Sequence, residues 1–84
     1  MTDNQTRFAE IYTEELQRAV AAHPDEYWLH AGETPDAYAA RVAPKMVYAF
    51  IKGGANKDGH AMKATCKRLG IKHTYTAIND FLSR

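Results

Sequence analysis

The chain has 84 residues, which is enough for one small domain. Hydrophobic residues make up 45% of it and charged residues 25%, an ordinary composition for a folded soluble domain that excludes a disordered chain. The only cysteine, Cys66, rules out an internal disulfide and is typical of a cytoplasmic protein. No apolar run approaches the roughly 20 residues of a membrane helix.

The net charge of +1 conceals an asymmetry between the two parts of the chain. Residues 1–51 contain four Lys/Arg and eight Asp/Glu, a net charge of −4, whereas residues 52–84 contain seven and two, a net charge of +5, and the two parts sum to +1. The basic part is suited to an anionic partner. It is equally suited to the acidic part, within one fold or across a dimer, and so short a chain makes a homo-oligomer a reasonable expectation.

Apolar periodicity predicts an all-α fold, a small bundle of about four helices in a single domain over residues 1–84. The first helix is expected at 6–22, after a frayed N-terminus. On its outer face Glu14 and Arg18 have the spacing of an i,i+4 ion pair. Pro24 ends this helix.

The aromatic segment Tyr27-Trp28-Leu29 follows, flanked by prolines and a glycine that argue against a long element. Its apolar side chains favour a lid over one end of the core. The alternative is an exposed anchor for a protein partner, with Tyr27, Trp28 and Tyr38 as candidate contacts, because Trp and Tyr dominate binding hot spots. Stacking on nucleobases is a third option, which the neighbouring acids disfavour by repelling phosphate.

The second helix is expected at 35–51, because Thr34-Pro35-Asp36 supplies a cap, a proline at the first position and an acid in the first turn. Pro44 removes one backbone donor and should kink this helix. The linker after it, residues 52–59, contains glycines but lacks the spacing of a phosphate-binding loop. We interpret the linker as a connection, and Lys52, Asn56 and Lys57 are the residues to test if it holds a phosphate.

Two further helices, at 58–69 and 73–83, are expected to form a helix-turn-helix-like pair around Gly70. Asp58 is the predicted N-cap of the first helix. Gly70 supplies the left-handed residue that ends it. The apolar stripe that restarts after the turn contains Ile71, Tyr75, Ile78 and Leu82.

Three motifs stand out in this last part of the chain: ANKDG at 55–59, KATCKRLGIKHTY at 63–75 and AINDFL at 77–82. The segment, with the pattern KATCKxLGIKHTYxAIxxFL, resembles the C-terminal region of a group of small tailed-phage and prophage accessory proteins. The resemblance implies a phage accessory protein that acts in the cytoplasm of a bacterial host cell. It brings no catalytic or binding residue with it.

Nucleic-acid binding by the basic part is the first functional hypothesis. The last helix would enter a DNA groove and present Thr74, Thr76, Asn79 and Ser83 to the bases. The candidate contacts with nucleic acid or another anion are Lys52, Lys57, Lys63, Lys67, Arg68, Lys72, His73 and Asn79. About five phosphate contacts predict a fall of log K with log salt at a slope near −4 to −5. Asp80, which would repel phosphate on the same face, favours instead an ordinary structural helix pair.

The alternative hypothesis is a non-enzymatic inhibitor or interaction module, which binds a host protein or captures a small anionic signal such as a nucleotide. The four histidines, at 23, 30, 60 and 73, form no HxxH or HExxH pair, and Cys66 has no CxxC partner. No metal site is therefore predicted. No catalytic residue and no cofactor are predicted either, so the sequence favours a protein that is not an enzyme.

Overall fold

Four α-helices and one short 3-10 turn make up the fold, and the computed structural model describes all 84 residues. Helix α1 spans Asp3–Ala22, α2 spans Pro35–Ile51, α3 spans His60–Leu69 and α4 spans Tyr75–Leu82. A 3-10 turn at Pro24–Glu26 follows α1. The predicted all-α bundle is confirmed, and none of its helices is both long and apolar enough to cross a membrane.

Helix α1 is the central element, since α2, α3 and α4 all pack against it. Its buried face contributes Phe8 and Tyr12, whose rings meet Phe50 of α2 edge-on at centroid distances of 6.0 and 6.2 Å. From the other two helices, Met62 of α3 and Ile78 of α4 are almost fully buried. The core is therefore one continuous cluster along α1.

The start of α1 is ordered, and the expectation of a frayed N-terminus is wrong. Thr2 and Gln5 form a reciprocal capping box, in which each side chain accepts a hydrogen bond from the other residue's backbone N–H, at 3.1 and 3.0 Å. The side-chain amides of Asn4 and Gln5 also donate to the backbone carbonyls of Phe81 and Leu82, at 3.1 and 3.0 Å. These bonds satisfy the carbonyl of Leu82, which has no backbone partner at the end of α4, and supplement the 3.4 Å bond that the carbonyl of Phe81 accepts from the N–H of Arg84.

Helix α2 has the predicted bounds, and its N-cap is the predicted Thr34, whose hydroxyl accepts a hydrogen bond from the backbone N–H of Ala37. The helix continues through Pro44 without interruption to Ile51. Pro44 itself is exposed, while Ala43 and Val47 beside it are buried against α1. The missing backbone donor therefore lies on the solvent side, where water can replace the lost hydrogen bond.

The turn between α3 and α4 is the predicted glycine turn. Gly70 has the left-handed φ of 70°, its N–H donates to the carbonyl of Lys67, and the N–H of Ile71 donates to the carbonyl of Cys66. Thr74 then caps α4 by accepting from the N–H of Ala77 at 3.1 Å.

Two details of this region differ from the expectation. Asp58 does not cap α3, which begins at His60 after Gly59. The carboxylate of Asp58 pairs instead with the ammonium of Lys57, and the N–H of Asp58 donates to the side chain of Asn56. Tyr75 is 46% exposed and does not belong to the buried stripe of α4, which consists of Ile78, Phe81 and Leu82. Tyr75 instead contacts the loop before α3, where its hydroxyl accepts a hydrogen bond from the N–H of Lys57.

Candidate functional site

Three exposed cations of the basic part form neither an ion pair nor a cation–π contact: Lys63, Lys67 and Lys72. Lys63 and Lys67 lie one turn apart on the outer face of α3, opposite its buried face. Lys72 follows in the turn before α4. These three lysines, here called the free-lysine set, are the part of the predicted anion-binding group that has no competing partner.

Arg68 lies inside the molecule's own charge network, although the sequence placed it among the contacts with nucleic acid. Its guanidinium donates to the buried carboxylate of Glu15 at 2.9 Å and to Glu14 at 3.2 and 3.3 Å, which joins α3 to α1. The hydrogen bond to Glu15 is the main cause that raises the pKa of Arg68. Arg18 also pairs with Glu15, at 2.7 Å, and not with Glu14 as the i,i+4 rule predicts. Arg68 is therefore a structural residue.

The 52–59 loop is attached to the start of α4 through Lys57 and His73. The Nε2 atom of His73 lies 2.7 Å from the carbonyl oxygen of Lys57, and the N–H of Lys57 donates to the Tyr75 hydroxyl at 3.3 Å. The ammonium of Lys57 pairs with Asp58 at 3.1 Å and lies 5.6 Å from the centre of the Tyr75 ring. Lys57 and His73, which are both predicted anion contacts, therefore hold this loop in place.

Lys52 and Asn79, which are also predicted contacts, border one polar pocket of ≈ 300 Å³ together with Gln5 and Ser83. The ammonium of Lys52 lies 5.5 Å from the centre of the Tyr48 ring, so its charge is partly occupied by a cation–π contact. The amide group of Asn79 makes no hydrogen bond within the protein. This pocket is the place where the chain offers both a cation and a free amide to a small anion.

The predicted groove face of α4 is exposed, but part of it is used locally. The hydroxyl of Thr74 caps the helix, and that of Ser83 donates to the carbonyl of Asn79 at 2.7 Å. Asp80 is exposed on the same helix and pairs with Arg84 at 3.4 Å. Thr76 and Asn79 are left as side chains of this face without an internal partner.

The aromatic segment divides into buried and exposed side chains. Tyr38 is buried and meets the half-buried Tyr27 edge-on, with ring centroids 5.8 Å apart, and burial raises the pKa of Tyr27. Leu29 also packs on the core, whereas Trp28 between them is 90% exposed. Alternate side chains of an extended segment point to opposite sides, and Tyr27 has an extended backbone. Tyr27 and Leu29 therefore cover the core, as expected of a lid, while Trp28 is exposed and Tyr38 is too buried to contact a partner.

An ion pair fixes the segment after Trp28 to α2. The guanidinium of Arg41 donates to both carboxylate oxygens of Glu33, at 2.9 and 2.8 Å, and Glu33 also accepts the N–H of His30 at 3.0 Å. The bonds from Arg41, followed by the one from His30, lower the pKa of Glu33 to about 2. This bidentate geometry holds the C-terminal side of the Trp28 segment in one position.

A second cluster lies on the N-terminal side of Trp28 and joins three elements that are distant in sequence. His23 follows α1, Glu26 is in the 3-10 turn and His60 begins α3. Nδ1 of His23 is 3.1 Å from Glu26, and Nε2 of His60 is 3.3 Å from both oxygens of that carboxylate. The two imidazole rings stack with centroids 4.1 Å apart.

Local spacing in the sequence does not reveal this cluster. Glu26 and His60 are 34 positions apart, so only the packing of α3 against α1 brings them together. The pair His23 and Glu26, spaced i,i+3 around Pro24, was the only local signal.

Comparisons with protein-family models, with curated proteins and with solved structures find no match to this chain. The resemblance to phage accessory proteins therefore stays a prediction.

Proposed function

We propose that the protein is an interaction module that binds a protein partner through Trp28. The observation that supports this proposal is the 90% exposure of a tryptophan whose two sequence neighbours pack on the core. Tryptophan is the residue most enriched at binding hot spots, and it loses little conformational freedom when it binds.

The segment that carries Trp28 is held on both sides, which favours binding without a large ordering cost. Glu26 bonds to His23 and His60 before it, and Glu33 bonds to Arg41 after it. Tyr27 and Leu29 hold the middle of the segment against the core. A side chain presented in one position forgoes much of the entropy that a mobile loop loses on binding.

The size of the side chain sets the expected contribution. Since Trp28 is 90% exposed, a partner pocket would bury about 200 Å² of its surface, which corresponds to about 5 kcal/mol of gross transfer free energy. Truncation of such anchors to alanine commonly costs about 2–4 kcal/mol of binding, which is a loss of affinity of about 30-fold or more.

The surroundings of Trp28 indicate the chemistry of the partner. Asp25 and Asp36 are exposed nearby in sequence, and neither forms an ion pair within the protein. An apolar pocket bordered by basic side chains complements this surface. Because the C-terminal part resembles phage accessory proteins, a protein of a bacterial host is the first partner to seek.

A pull-down from bacterial lysate, with nuclease added, tests this proposal. The wild-type chain is expected to retain a protein partner that Trp28→Ala loses. The matched control is Tyr48→Ala, which removes another exposed aromatic residue, 63% exposed on α2, and should retain the partner. Retention that is insensitive to Trp28→Ala, or the absence of any partner after nuclease treatment, would refute the proposal.

Nucleic-acid binding is the second candidate, and the free-lysine set is the observation that favours it. If these three lysines each neutralise one phosphate of duplex DNA, log K should fall with log salt at a slope of about −2.7. The slope is shallower than the sequence-based expectation because Arg68 and Lys57 are engaged inside the protein.

Fluorescence anisotropy with labelled duplex DNA, measured over a range of salt concentrations, tests the second candidate. Replacement of all three free lysines by glutamine should abolish binding. Lys45→Gln, which removes an exposed and unpaired lysine from α2, should leave binding nearly unchanged. Binding that does not depend on salt, or that is equally weakened by both variants, would contradict this candidate.

A further inference from the structure

We propose that His23, Glu26 and His60 bind one divalent metal ion of the zinc class, with water completing the coordination. The proposal concerns stability and metal binding and does not depend on the partner of Trp28. One donor atom from each of the three residues lies within 4.8 Å of the other two.

The donor types favour a transition metal over calcium or magnesium. Two imidazole nitrogens and one carboxylate oxygen form a ligand set that zinc commonly accepts, with a fourth position left to water. Calcium and magnesium prefer an all-oxygen shell, which this cluster does not provide.

The distances lie close to what zinc requires. Zinc bonds of about 2.0–2.2 Å in tetrahedral geometry place the donor atoms about 3.3–3.5 Å apart. The two separations between nitrogen and carboxylate oxygen are 3.1 and 3.3 Å. The two histidine nitrogens lie within 4.8 Å of each other and need to approach by about 1.5 Å at most, and all three side chains are exposed and free to move.

The electrostatic surroundings decide which ligand matters most. Helix α1 has no basic side chain in its last turn, so its C-terminal carbonyls present a negative potential near His23. The N-terminus of α3 presents a positive potential near His60, which disfavours a bound cation. The charge of Glu26, which pairs with no lysine or arginine, offsets the opposing end of α3. Glu26 is therefore the ligand whose charge the site needs.

The same cluster has a simpler explanation, in which a protonated histidine pairs with Glu26 and no metal is involved. The two explanations differ in what zinc does. A zinc site takes up one ion per chain and ties α1 to α3, so it stabilises the fold. An ion-pair cluster without metal affinity gains nothing from added zinc.

The experiment is a titration of tag-free protein with zinc chloride, followed by calorimetry and by thermal unfolding. We expect one ion per chain and a rise in Tm of about 6–11 °C when free zinc is ten times its Kd. Glu26→Gln and His60→Gln should each weaken binding at least about tenfold, and Glu26→Gln should do so while keeping the shape of the side chain. The control is His30→Gln, because His30 is exposed and its ring contacts none of the three ligands.

The circular dichroism of each variant without metal checks that it is folded. Cobalt substitution supplies an independent readout, because a tetrahedral site gives intense visible absorption that the Glu26→Gln variant should lose. Absence of stoichiometric zinc binding by the wild type would overturn the proposal. So would equal binding by the wild type and Glu26→Gln, or an equal loss in His30→Gln.

Discussion

Replacement of Glu15 by glutamine tests whether Arg68 holds α3 against α1. The Glu15 carboxylate is buried, with a relative exposure of 7%, and accepts from Arg18 at 2.7 Å and from Arg68 at 2.9 Å. Glutamine keeps the shape but removes the charge, so each bond becomes weaker by about 1 kcal/mol. Both guanidinium groups reach water, which reduces the total to about 1.5 kcal/mol.

For a domain of this size, such a loss lowers Tm by about 6–12 °C. Urea unfolding monitored by circular dichroism measures the change in the free energy of unfolding directly. The control is Glu14→Gln, because Glu14 is the adjacent residue, half-exposed, and pairs only with Arg68 at 3.2 Å. The control should change the free energy of unfolding by less than about 0.5 kcal/mol. Equal effects of the two variants would refute the reasoning and return Arg68 to the group of available cations.

Three further predictions concern single sites. The folded-state pKa of Glu33 is lowered from 4.5 to about 2, so its pair with Arg41 stabilises the fold above pH 4.5 and loses this contribution as the pH falls towards 2. An NMR titration of the Glu33 carboxyl should show this low pKa, and Arg41→Gln should raise the pKa of Glu33. The Cys66 thiol is 1% exposed and burial raises its pKa, so a thiol reagent should modify it only at the rate of unfolding. Gly70→Ala should cost about 1 kcal/mol through its φ of 70°, whereas Gly54→Ala, which has open space and no such φ, should cost nearly nothing in urea unfolding.

The parts of the fold that sequence predicted well are those with complete local signals. Thr34-Pro35 and Gly53 mark the ends of α2, and Gly70 marks the turn after α3, because caps and left-handed glycines act within a few residues. The start of α1 also had a local signal, since Thr2 and Gln5 have capping-box spacing. What sequence did not reveal is that the end of α4 accepts hydrogen bonds from this turn.

The errors at the site arise from tertiary contacts that override local rules. The i,i+4 rule pairs Arg18 with Glu14, but the packing of α3 places Arg68 beside Glu14 and Glu15, and Arg18 pairs with Glu15 instead. A local ion pair on a helix contributes only a few tenths of a kcal/mol. The buried carboxylate of Glu15 can therefore replace Glu14 as the partner of Arg18. The environment of Trp28 was predictable only as two alternatives, because exposure depends on which side of the segment faces the core.

Internal ion pairs explain part of the charge asymmetry of the chain. The salt dependence of DNA binding measures how many of the other cations contact phosphate. Arg68 pairs with the acidic part, as the self-pairing hypothesis expects, while the free-lysine set remains for an external anion. Three phosphate contacts predict that affinity falls about 40-fold between 50 and 200 mM salt, whereas five predict about 500-fold. A fall near 500-fold would require two further phosphate contacts, which Lys52, Lys57 and Arg68 can supply if they leave their internal contacts. If Arg68 is one of them, Glu15→Gln, which removes the shorter of its two ion pairs, should strengthen binding, and an unchanged affinity would show that the recruited cations lie elsewhere.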